Sequence, residues 1–297
     1  MGRRQLPARP ARLRMVPMDR IEAHRTFFAN LITASVGLPS GHGGLAAAFA
    51  ATPRERFVGK GPWKVFTAAG YIETPSDDPA FLYQDVTIAL KGEKQINNGQ
   101  PVLHAACLAA LKPQEGETAV HVGAGTGYYT AVLARLVGPS GSVFAYEIED
   151  DLAQRARTHL SDLSNVTVHS RSGTAGPLPE CDVLYVSAGA TAPLDVWLDA
   201  LREGGRLLFP LTPAQGAGGM LLVTRQPADR FDARFVTRAL FIPCAGARDD
   251  ETAQKLTAAF QRPEWAAVRS LRRNATPDET CWCAGSGWWL STSPAPG

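Results

Sequence analysis

Apolar residues along this chain follow two spacings that take turns. Short, mainly apolar runs occur at 118–122, 143–148, 166–168, 181–186 and 206–211. Runs of this length between turn residues read as buried strands. Between the first two lies Tyr129, Val132, Leu133, Leu136 and Val137, the i, i+3, i+4, i+7, i+8 stripe of a helix resting on a sheet, closed by Gly138-Pro139. Further helices are expected near 151–161 and 194–202, the second ending at Gly204-Gly205. Met220–Thr224 and Arg234–Ile242 read as a closing antiparallel pair. Strands alternating with helices predict an α/β fold with a doubly wound, mostly parallel, Rossmann-like sheet.

The part before residue 118 has a different character. Apolar positions 21, 28, 31, 32 and 36 share one helical face, and an alanine-rich helix from Leu45 to Ala51 is stopped by Thr52-Pro53. Residues 59–80 are rich in glycine and proline and are expected to be loop, whereas Phe81–Leu90 has β character. Ile96–Pro101 is a turn, and Pro101 suits the first turn of a helix through Leu111. The expected organisation is a basic leader at 1–20, a helical, substrate-side segment at 21–110, an α/β core at 111–245 and an extension at 246–297.

The stretch Val120-His-Val-Gly-Ala-Gly-Thr-Gly-Tyr128 carries the first chemical information. A buried strand runs into three glycines and then a helix, so main-chain N–H groups at the helix start can face a ligand. The glycines are spaced G-x-G-x-G, and Tyr128 occupies the place of the third glycine of the dinucleotide pattern. That spacing favours S-adenosylmethionine over a nicotinamide cofactor. The next strand ends in Glu147, placed to accept hydrogen bonds from a ribose diol. Gly123, Ala124, Gly125, Gly127, Tyr128 and Glu147 are therefore the candidate cofactor residues. His121, inside the strand, reads as a hydrogen-bonded core histidine.

Composition narrows the function classes. The chain has 297 residues, 45% of them hydrophobic, a net charge of +2 and no apolar run approaching a membrane span. Neither a nucleic-acid nor a membrane partner is expected. Residues 1–20 hold six arginines and one acid, without the apolar region of a secretion signal. Five scattered cysteines suit free thiols in a cytoplasmic protein. Cys281-Trp-Cys283 lacks a second ligand pair, so no metal site is expected; with Trp288–Ser291 it reads as a hairpin. Arg269, Arg272 and Arg273 read as a solvated helix face.

These residues also carry a family resemblance, over roughly residues 20–245. Ala48-Ala-Phe-Ala-Ala-Thr-Pro-Arg-Glu-Arg-Phe-Val58, Ile96-Asn-Asn-Gly-Gln-Pro-Val-Leu-His104, the glycine loop, and Leu201-Arg-Glu-Gly-Gly-Arg-Leu-Leu-Phe-Pro-Leu211 together resemble protein L-isoaspartate O-methyltransferases. The resemblance implies an S-adenosylmethionine-dependent enzyme that methylates the α-carboxylate of an isoaspartyl residue in a protein or peptide. It also implies Asn97, Gln100 and His104 as acceptor-side residues. Ser172 and Gly173 stand where the family has Gly-Asp-Gly and join the cofactor set. Asn97 replaces the signature serine, and two residues are inserted before Gln100. Those departures keep two alternatives open: methylation of a peptide natural product or small molecule, and a cofactor-binding partner protein without catalysis.

Overall fold

The computed structural model describes residues 19–38 and 43–295. The basic leader lies outside the described residues, apart from Asp19 and Arg20. The chain opens with α1 (Arg20–Ser35), α2 (Gly43–Ala50) and α3 (Glu55–Val58). A hairpin of β1 (Lys64–Thr67) and β2 (Gly70–Glu73) follows, then a small antiparallel pair, β3 (Ala89–Lys91) and β4 (Ile96–Asn97). Next come α4 (Pro101–Leu111), β5 (Thr118–Val122), α5 (Tyr128–Val137), β6 (Ser142–Glu147), α6 (Asp150–His159) and β7 (Val166–Ser170). The chain continues with β8 (Cys181–Val186), α7 (Asp195–Asp199), β9 (Leu201–Leu211), β10 (Gly218–Gln226) and β11 (Arg230–Ala239). It closes with α8 (Asp250–Gln261), β12 (Ser270–Arg273), β13 (Cys281–Gly285) and β14 (Trp288–Ser291).

One ten-stranded sheet, ordered β13-β14-β12-β11-β10-β9-β8-β5-β6-β7, runs through the molecule. The strands β7-β6-β5-β8-β9 are parallel, and β10 to β14 extend that doubly wound core antiparallel. Strand β5 sits between β6 and β8, with Val120 opposite Phe144 on one side and Leu184 on the other. Helices cover both faces, which is why the central strands are apolar without alternation. One face packs on α1, α2, α4 and α5 through Phe28, Ile32, Phe49, Leu108 and Leu133. The other packs on α7, α8 and the C-terminal hairpin through Trp197, Phe209, Leu256, Phe260 and Trp282.

Four sequence expectations are corrected. Residues 59–80 contain a hairpin, turned at Gly70 with φ +106°, a region closed to most side chains. The segment expected as strand at Phe81–Leu90 joins a ladder only from Ala89, after a single bridge of Ile88 to Val65; the Arg54 side chain takes the carbonyls of Leu82, Gln84 and Val86. Helix α7 stops at Asp199, and Gly204-Gly205 lie within β9 as an irregularity between Cys181↔Leu201 and Val183↔Arg206. Arg272 and Arg273 lie on strand β12. Arg273 pairs with Asp195 and Asp199 of α7, each at 2.8 Å, and Arg272 stacks on Trp289. These partners, drawn from distant sequence, hold in a sheet what its charge pattern alone assigned to a helix surface.

Candidate active site

The glycine loop lies at the carboxyl end of β5, where the connections leave β5 for β6 on one side and return to β8 on the other. A doubly wound sheet opens a ligand crevice at that switch point. Two of its glycines are required for different reasons. Gly125 has φ +57°, and a Cβ there would sit 3.6 Å from Leu90 Cδ1, in the mouth of the crevice. Gly127 has φ +96° and begins α5; a Cβ there would meet Leu160 Cδ1 of the neighbouring helical turn at 2.7 Å. The first keeps room for a ligand and the second lets α5 pack against α6.

Glu147, at the tip of β6, is buried and holds the loop in shape. Its Oε2 accepts the Gly125 N–H at 2.6 Å and its Oε1 accepts the Glu149 N–H at 2.9 Å. Burial raises the carboxyl pKa, and these N–H groups act against that rise. Each carboxylate oxygen accepts a second hydrogen bond readily, so a diol can still be bound. Above the loop, the β3–β4 hairpin carries Leu90 and is strapped to the start of α6. Lys91 Nζ reaches Glu149 at 2.8 Å and Asp151 at 2.5 Å, and Lys94 reaches Glu149 at 2.7 Å.

The acceptor-side segment is held by interactions that sequence reasoning missed. Arg54 is fully buried and donates to the carbonyls of Leu82, Gln84 and Val86 at 2.5, 2.8 and 3.0 Å. Its guanidinium also lies over the rings of Phe28 and Tyr128. This fixes Asp85, which accepts the Val102 N–H at 2.8 Å and so caps α4 from outside the helix. Asp85 also accepts from Gln100 Nε2 at 2.8 Å. Arg54 and Arg56 stand together between Phe49 and Phe57, and nothing in the sequence separates the buried one from the half-buried one; Asp85, far from α4 in sequence, gave no signal either.

Two histidines form a buried polar chain beneath the crevice. His104 Nδ1 pairs with the Tyr185 hydroxyl at 2.6 Å, and its ring stacks on Tyr129 at 3.6 Å between centroids. His121 lies between Thr130 Oγ1 at 2.8 Å and Ser187 Oγ at 3.0 Å. Burial pushes His121 down to about 3; it also lowers His104 well below its ordinary value, helped by the charges of His121 and Arg54. Both are neutral in the folded protein at neutral pH but take up protons near pH ~6.5 once unfolded. Their contribution is thus complete above that value and is lost as pH falls below it, by about 1.4 kcal/mol per pH unit per histidine. Urea unfolding should show a steady midpoint from pH 8 to 7 and a falling one from 6.5 to 5. Replacing His121 with Gln should make that fall shallower; an unchanged slope would show that His121 is not a buried neutral group.

A cleft of about 1160 Å³ opens between the glycine loop, the start of α4, the β1–β2 hairpin and the segment after β11. Asn97, Gln100, His104, Gly123, Ala124, Gly125 and Tyr128 all line it. Gly127, Glu147, Ser172 and Gly173 stand outside its lining. The Tyr128 ring packs among Phe49, Phe57 and Tyr129. Ser172 Oγ is engaged by Thr174, through its Oγ1 at 2.7 Å and its N–H at 3.1 Å. Gly173 is held tightly, since a Cβ would fall 2.6 Å from Val122 Cγ2. Among the described residues there is no group of three or more metal-ligating side chains, and no helix is long and apolar enough to cross a membrane.

A doubly wound sheet with a glycine turn at its switch point and an acid at the adjoining strand tip defines a class I S-adenosylmethionine-dependent methyltransferase. Residues 40–249 match the protein-L-isoaspartate(D-aspartate) O-methyltransferase family, and the chain belongs to that family. A protein-L-isoaspartate O-methyltransferase of Methylorubrum extorquens is 32% identical over 243 residues, covering 80% of this chain and 95% of the relative. Protein-L-isoaspartate O-methyltransferase 2 of Pelobacter propionicus is 31% identical over 206 residues, covering 68% and 82% respectively. Among solved structures, a protein-L-isoaspartate O-methyltransferase superposes with a TM-score of 0.62 at 22% identity, covering 84% of this chain and 72% of that one. A Plasmodium falciparum structure described as a putative enzyme of the same name, in complex with S-adenosyl-L-homocysteine, gives 0.59 at 16% identity, covering 75% and 98%.

Proposed function

We propose that this protein transfers the methyl group of S-adenosylmethionine to the side-on α-carboxylate of an L-isoaspartyl residue in a protein or peptide. The observation that carries this reading is a single cleft joining the glycine loop to the segment Asn97–His104. The cofactor fits the residues present: Gly125 leaves space at the loop, and Glu147 keeps acceptor capacity for a ribose diol. Bound there, S-adenosylmethionine supplies an activated methyl group on a sulfonium.

The protein's task is then alignment and exclusion of water. A carboxylate, with a pKa near ~4, is already ionised at neutral pH, so its oxygen needs orientation and no deprotonation. The oxygen–methyl bond forms as the sulfur–methyl bond breaks, giving a methyl ester and S-adenosylhomocysteine with no proton moved. The neutral, enclosed His104 suits such a reaction: it supports the acceptor-side turn and has no proton to take. Asn97, Gln100 and Asp85 hold the same turn.

Isoaspartyl peptide should be methylated and then release methanol, while the matching aspartyl peptide should not. The single-turnover rate should be nearly flat from pH 6.5 to 8. A rate governed by one ionisation near the histidine range would overturn the carboxylate reading in favour of an acceptor that must lose a proton.

A further inference from the structure

We propose that the side-chain amide of Asn98 is the donor that binds the acceptor carboxylate; the inference rests on the carboxylate reading above. Most polar side chains of the acceptor-side turn are already committed. Asn97 Oδ1 accepts the Gly99 N–H at 2.9 Å, closing a local turn. Gln100 donates to Asp85, and His104 is paired with Tyr185. The Tyr129 hydroxyl donates to the Gly99 carbonyl at 3.2 Å.

Asn98 is different. Its main chain and side chain both grip Ile88: the Asn98 N–H donates to the Ile88 carbonyl at 3.0 Å, and Oδ1 accepts the Ile88 N–H at 2.7 Å. The second bond fixes which branch of the amide is oxygen. The other branch, Nδ2, is buried without a partner, in a residue only 8% exposed that lines the cleft. Among the described residues, the only other buried unpartnered polar atom on a cleft-lining residue is the Tyr128 hydroxyl, whose ring packs among Phe49 and Phe57.

A buried amide without a partner is destabilising, and an arriving acceptor oxygen removes that cost. The chemistry of the donor selects the acceptor class. A neutral NH₂ offers hydrogen to an oxygen anion, yet binds it less strongly in the ground state than a guanidinium would. It offers nothing to a protonated amine. The position thus suits an oxygen acceptor, which under the carboxylate reading is the acceptor carboxylate.

Asn98→Asp isolates the role. It retains the shape and the Oδ1 acceptor for Ile88, and replaces only Nδ2 with an oxygen. The variant should lose at least about 100-fold in kcat/KM for isoaspartyl peptide, as a lost bond to a charged group and a new like charge require. Its S-adenosylhomocysteine affinity should stay close to that of the wild type, while the buried carboxylate lowers its thermal midpoint. Wild-type rates in the variant would overturn the proposal. A readout free of turnover is the Asn98 side-chain amide resonance, identified by its loss in the variant. In the full chain saturated with S-adenosylhomocysteine, it should shift downfield on addition of isoaspartyl peptide or of glutarate. A resonance unmoved by both overturns the assignment. A shift with glutarate from a wild type that does not methylate the peptide overturns the isoaspartyl reading and leaves the Asn98 assignment standing.

Discussion

Gly125→Val is expected to abolish measurable binding of S-adenosylmethionine and S-adenosylhomocysteine, a loss beyond about 100-fold or ~2.7 kcal/mol. Two effects act together. The backbone holds φ +57°, where a β-branched residue is strained by about 1–2 kcal/mol. The first carbon of the side chain already touches Leu90 at 3.6 Å, so the two methyl groups must either push the β3–β4 hairpin outward or fill the crevice. Moving the hairpin works against the pairs of Lys91 and Lys94 with Glu149 and Asp151. The ten-stranded sheet lies behind the loop, so circular dichroism should change little. Calorimetric affinity within threefold of wild type would place the cofactor elsewhere.

Arg54→Met is the substitution expected to cost most stability, about 3–5 kcal/mol. Methionine fills much of the volume but leaves the buried Leu82 carbonyl and the half-buried carbonyls of Gln84 and Val86 without their donor. Arg54→Lys should recover less than half of the loss, because one ammonium cannot meet three carbonyls in the fan that a guanidinium spans. Urea unfolding with both variants checks this; a loss below 1 kcal/mol for Arg54→Met would mean that solvent reaches those carbonyls. Asp85 lies within the tethered stretch and Asn98 grips Ile88 just beyond it, so surviving Arg54→Met protein should also show a raised KM for the peptide, with little change in cofactor affinity.

Arg54 also explains where the sequence could be read and where it could not. Strands 118–122, 143–147 and 181–186 are apolar on both faces and bounded by turn residues, so their own composition identifies them. Pro101 and the apolar residues after it mark α4 from its first residue. The glycine loop and Glu147 were legible because a tight strand-to-helix turn and the acid that holds it dictate residue type and spacing. Phe81–Leu90 carries the composition of a strand, but a distant side chain takes the carbonyl partners that a neighbouring strand would supply. Asn97 and Asn98 are adjacent and identical in type. Only the contacts of Ile88 and Gly99 separate the one that closes a turn from the one left with a free amide. Arg272 and Arg273 became strand residues through carboxylates on α7 and the Trp289 ring.

The position of β14 in the sheet bears on how the chain is made. Although last in sequence, β14 is inserted between β13 and β12. Strand β12 meets β11 at only two register positions, Phe231↔Leu271 and Asp232↔Ser270, and meets β14 at four. On the ribosome, the parallel strands and the cleft residues all emerge before β14, and domains form from such N-terminal portions first. The outer strands must wait for residues 288–291. Until these arrive, Leu271 lacks its partner Leu290, and the nascent protein carries an open apolar sheet edge beside an already assembled cleft. Its exposure to chaperones and to mispairing with neighbouring chains is therefore concentrated in the interval before residues 288–291 emerge.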